Sequence, residues 1–104
     1  MCQDERMIVE SALLPVIPGK EEEFEAALEE AKSYISASKG FVSLEVSRGV
    51  ESPSTYLMVV KWETLEDHTE GFRGSELFEK WRAALHHFYD PKPVVEHYRP
   101  AVSV

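Results

Sequence analysis

Two stretches of this chain are apolar on both faces of an alternating pattern, which severely limits what it can fold into. In residues 55–62, Tyr56, Met58, Val60 and Trp62 point one way while Leu57 and Val59 point the other. In residues 7–16, Ile8, Ala12 and Leu14 oppose Met7, Val9 and Leu13. An antiparallel sheet with one wet face alternates apolar with polar residues, so strands of this kind belong to a sheet covered on both sides. The rest of the chain supplies a single cover. From Lys20 the period changes, and Phe24, Ala27, Leu28, Ala31 and Ile35 recur at helical spacing, with Glu21, Glu22 and Glu23 in the first turn where the helix dipole favours acids. Residues 41–48 alternate Val42, Leu44 and Val46 with Ser43, Glu45 and Ser47, and polar residues 49–54 join them to the strand at 55–62 as a hairpin. Thr64 is placed to cap a short helical turn, and Ser75 a longer helix carrying Leu77, Phe78, Trp81, Leu85 and Phe88 on one face. Residues 94–99 read as a last strand.

The order βαββαβ predicts an α+β, ferredoxin-like fold: one mainly antiparallel sheet with both helices on one face. At 104 residues the chain is one domain, and its 43% hydrophobic content is enough to build a core. Residues 1–5 are expected to be flexible. A second copy is the simplest cover for the other face of the sheet, giving a homodimer packed sheet on sheet, with residues 100–104 running along the partner.

Eleven basic against nineteen acidic residues give a net charge of −8, which repels phosphate backbones and anionic lipid, so neither nucleic acid nor membrane is an expected partner. No apolar run reaches spanning length, the start lacks a signal peptide's apolar stretch, and Cys2 has no second cysteine to pair with. A cytoplasmic protein is expected. Gly71-Phe72-Arg73-Gly74 lacks both phosphate-loop spacings, and the adjacent His86 and His87 point about 100° apart on a helix and cannot share a metal. Both are expected at the surface, and no metal or cofactor is expected.

Four segments together carry a resemblance: Lys61-Trp62-Glu63-Thr64-Leu65-Glu66-Asp67-His68, Gly71-Phe72-Arg73-Gly74-Ser75, Phe78-Glu79-Lys80-Trp81 and Val94-Val95-Glu96-His97-Tyr98. They resemble the antibiotic biosynthesis monooxygenase domain, a family of dimeric α+β barrels, over nearly the whole chain. The resemblance implies a pocket between sheet and helices in each subunit. It also implies several chemistries: oxidation of aromatic polyketides or quinols by molecular oxygen without metal or flavin, haem degradation, or isomerisation. The haem-degrading set of Asn, Trp and His falls near Ala12, Gly71 and Trp81, where none matches. Of the polyketide-type set, the Trp falls on Trp62, the Arg on Arg82, the Tyr on His68 and the Asn on Met58; the chain contains no asparagine at all.

These positions define the expected site. His68 is the favoured general base, since an imidazole titrating near neutrality suits removal of a phenolic proton. Trp62 stacks on an aromatic ligand or fills the core, and Arg82 steadies an oxyanion or lies in solvent. Met58, Phe72, Trp81, Phe88 and His97 line the pocket, His97 alternating with Glu96 on the last strand so that one of the two points inward and the other outward. The expected activity is a cofactor-independent monooxygenase acting on a small aromatic, quinol or enolic compound. The alternatives are a non-catalytic dimeric protein that binds such a molecule, and an isomerase on the same fold.

Overall fold

The computed structural model describes residues 6–104; the expectations for residues 1–5 and Cys2 lie outside the described residues. The chain forms β1 (Ile8–Pro15), α1 (Glu21–Ser36), β2 (Phe41–Arg48), β3 (Thr55–Trp62), a π-helical turn (Asp67–Phe72), α2 (Glu76–Leu85), a 3-10 turn (His86–Phe88) and β4 (Val95–Tyr98). The strands pair in the order β2-β3-β1-β4, every neighbour antiparallel, which is the ferredoxin-like α+β fold. Both helices lie on one face. The core between the layers holds Ala12, Leu14, Met58, Val60 and Trp62 from the sheet, Phe24, Ala31 and Ile35 from α1, and Trp81 and Leu85 from α2. Burial of each large side chain here contributes about 1.5–3 kcal/mol.

Two local departures from the sequence pattern shape the site. The helix after Ser75 does not run straight to Phe88. It closes after Leu85 into the 3-10 turn, and Phe88 packs on Phe24 with ring centroids 5.7 Å apart. The segment after Thr64 winds as a π-turn. Thr64 Oγ1 accepts from the Asp67 amide at 3.1 Å and starts it, and the Arg73 amide closes it by donating to the His68 carbonyl, five residues back, at 3.1 Å. This wider winding turns both His68 and Phe72 inward, where they are 2% and 1% exposed. Ser75 then caps α2 by accepting from the Phe78 amide at 3.2 Å.

Gly40, immediately before β2, has φ +83, and a Cβ there would collide with the Asp67 side chain. The open end of the β2–β3 hairpin and the start of the π-turn therefore meet through a residue that has no side chain.

Candidate functional site

The register of the sheet assembles the site. On the helix-facing side Glu10 of β1 lies directly opposite His97 of β4, and Trp62 of β3 pairs with Ile8, the next inward residue along β1. Trp62 Nε1 donates to Glu10 Oε1 at 2.9 Å. The π-turn lowers His68 onto this group. Its ring stacks on Trp62 with centroids 5.3 Å apart, its Nε2 lies 3.3 Å from Glu10 Oε1, and its Nδ1 lies 2.8 Å from His97 Nε2. Glu10 is only 4% exposed, and a carboxyl so far from water needs these partners.

Burial dominates the electrostatics. It pushes the Glu10 pKa above its ordinary value, opposed by the Trp62 hydrogen bond and by the Arg73 guanidinium. The same burial, with the positive charge of Arg73 and the neighbouring His97, drives His68 from 6.5 down to about 3. His68 is thus a neutral imidazole near neutrality, with both ring nitrogens already engaged. His97 is lowered by burial and by Arg73.

Glu10 and His68 form part of the wall of a partly enclosed cavity of about 410 Å³. Leu14, Met58, Phe72, Phe78, Trp81, Tyr89 and Val95 supply its apolar and aromatic surface, and Arg73, His86 and Lys92 its other polar groups. The volume falls within the roughly 300–1,000 Å³ of small-molecule sites. A separate groove of about 450 Å³ between α1 and β2 is lined by groups already paired with one another, Tyr56 donating to Glu25 and Arg48 facing the same carboxylate.

The structure therefore brings together on the cavity wall four of the residues singled out in the sequence: His68, Met58, Phe72 and Trp81. Trp62 lies behind His68 and is fully buried, and His97 touches the cavity's histidine but is not part of the wall. Arg82 is elsewhere. Its side chain is 61% exposed and faces Glu79 one turn away at 4.0 Å, because α2 turns Trp81 and Leu85 inward and leaves Arg82 outside. The guanidinium that reaches the cavity is that of Arg73, carried there by the π-turn. Phe88 belongs to the core beside Phe24, and His86, expected at the surface, lines the cavity because the 3-10 turn tightens at that point. Glu10 went unremarked in the sequence, although its signal is simple: a lone carboxylate at an inward register position, between Ile8 and Ala12. Among the described residues no group of three or more His, Cys, Asp or Glu side chains is arranged to hold a metal ion, and no helix is long and apolar enough to cross a membrane.

A ferredoxin-like sheet with an aromatic cavity between it and its helices defines a class of small α+β proteins. Residues 7–84 match the family model for antibiotic biosynthesis monooxygenase, and the chain belongs to that family. It is 48% identical over 93 residues to YczJ of Bacillus subtilis, an uncharacterized protein, covering 89% of this chain and 98% of that one. A crystal structure from Bordetella bronchiseptica assigned to the same family superposes with a TM-score of 0.88 at 33% identity, covering 92% of this chain and 98% of the other. The cofactor-independent oxygenase SnoaB of Streptomyces nogalater, solved as an asparagine-to-alanine variant, shares the fold with a TM-score of 0.83 at 14% identity over 95% and 97% of the two chains.

Proposed function

We propose that this protein is a cofactor-independent monooxygenase that oxidises a small phenolic, quinol or enolic ring with molecular oxygen, with Glu10 as the base. The observation that carries the reading is a buried carboxyl of raised pKa on the wall of an aromatic cavity, anchored by Trp62 and His68. A raised pKa makes a carboxylate a better proton acceptor near neutrality. Family membership and the likeness to SnoaB support the reaction class.

For an anthrone-like ring the chemistry balances without an external reductant: R2CH2 + O2 gives R2C=O + H2O. Glu10 takes the acidic proton, leaving a delocalised anion that Arg73 and Lys92 stabilise at the cavity wall. The anion passes one electron to oxygen, and the resulting radical and superoxide join to form a peroxide. A proton returns to the outer oxygen, the O–O bond breaks as the second C–H proton leaves, and ketone and water remain. Phe72, Phe78 and Trp81 stack on the ring and exclude water.

The test is oxygen uptake on a panel of hydroquinones and anthrone-like phenols. Uptake above the buffer rate, lowered by roughly 10²-fold or more in Glu10→Gln, supports the reading. Uptake that is unchanged by Glu10→Gln overturns the assignment of the base. Tryptophan quenching by the same compounds with no uptake supports instead a non-catalytic binding protein, the reading favoured by the lack of any asparagine in the chain.

A further inference from the structure

The array Glu10, His68, His97 has a hydrogen-bond polarity that the geometry fixes. Each imidazole is neutral and carries one hydrogen, so two arrangements connect the three groups. In the first, His97 Nε2–H donates to His68 Nδ1, and His68 Nε2–H donates to Glu10. In the second the hydrogens point the other way, and Glu10 must be a carboxylic acid donating from Oε1 to His68. The indole of Trp62 decides between them. It is a donor only, and it donates to the same Oε1 at 2.9 Å that lies 3.3 Å from His68. An ionised carboxylate oxygen accepts two N–H donors readily, whereas a hydroxyl oxygen already donating to His68 is a poor acceptor for the indole N–H, so the Trp62 contact favours the arrangement with an ionised Glu10. His68 therefore donates through Nε2, its Nδ1 is a bare lone pair, and the group 2.8 Å from that lone pair must be a donor.

We infer that His97 is a positioning residue for the base: by donating to His68 Nδ1 it fixes the hydrogen of His68 on Nε2, which in turn holds Glu10 as an ionised carboxylate. His97 is placed to do this because β4 sets it opposite Glu10 in the sheet. It reaches the reacting atoms only through His68. The charged and titratable groups facing the array are Arg73, whose charge acts on all three members, and His86 and Lys92 across the cavity. None of these takes the place of a donor at Nδ1, since that position is filled by His97.

The assignment of Glu10 as base rests on the oxygenase reading, but the tautomer does not, and it is measured without substrate. In the chain labelled with 15N-histidine, the two ring nitrogens of His68 are distinguished by their NMR shifts. The expected spectrum at neutral pH has a protonated Nε2 and an unprotonated Nδ1, and His97→Phe loses that preference while His97→Gln, which keeps an N–H donor, retains it. In oxygen uptake, His97→Phe moves the acid limb of the pH profile up by about one unit, equivalent to a tenfold shift in the ionisation of the base, while His97→Gln leaves it in place. A hydrogen on His68 Nδ1 in the unaltered protein overturns the inference, as does a tautomer unmoved by His97→Phe. A chain with protonated Nε2 and no oxygen uptake on any phenol supports the inference and overturns only the oxygenase reading.

Discussion

At the scale of single residues, the site is governed by the cost of keeping charge away from water, and that cost has a measurable sign. The pKa of His68 falls from 6.5 to about 3 on folding, so between those values the unfolded chain binds a proton that the folded one refuses. The stabilisation is complete above pH 6.5 and is lost as pH falls toward 3. Glu10 acts in the opposite sense, because its raised pKa lets the folded chain keep a proton that the unfolded chain has released above 4.5. His86 and His97, also lowered by burial, add to the His68 effect. The melting temperature should therefore drop as pH falls from 7 to 5, and the drop should be smaller in His68→Gln. Equal drops in the two proteins would refute the assignment. His68, Met58, Phe72 and Trp81 were legible in the sequence because each sits on an apolar face or beside one. Glu10 was not, because both faces of β1 are apolar and alternation alone does not say that the face it shares with Ile8 and Ala12 is the one the helices cover.

At the scale of elements, the π-turn is the device that the sequence does not announce. Thr64 and Ser75 mark where turning segments begin, and the strands lie within a residue of their expected bounds, whereas α2 stops at Leu85, short of the expected Phe88. What one-dimensional spacing lacks is the winding between those caps, and the winding decides that Arg73 reaches the cavity while Arg82 does not. Gly40 is coupled to it. Gly40→Ala forces an alanine into φ +83 and drives its Cβ against Asp67 at the first position of the turn. We expect a loss of more than about 1 kcal/mol in chemical denaturation, accompanied by a change in tryptophan fluorescence as His68 shifts on Trp62. A variant as stable as the parent would show that the close approach carries no weight.

At the scale of the whole molecule, the face of the sheet away from the helices is unfinished. Leu13 of β1 is 61% exposed and Leu57 of β3 43%, and Val94, just before β4, is 75% exposed. We propose that a second copy covers this face, sheet against sheet, with residues 100–104 lying along it. Sedimentation should give twice the 11.9 kDa chain mass at micromolar concentration, and Leu57→Glu should shift the protein toward the monomer. A parent protein that sediments as a monomer would leave the two-faced pattern without this explanation.

β4 is the shortest strand, joined to β1 over four positions at the margin of the sheet, and it carries His97. The inferred donor to His68 Nδ1 is thus held in place by four residues of edge pairing, so a substitution that weakens the β1–β4 ladder should disturb the His68 tautomer without touching the cavity wall.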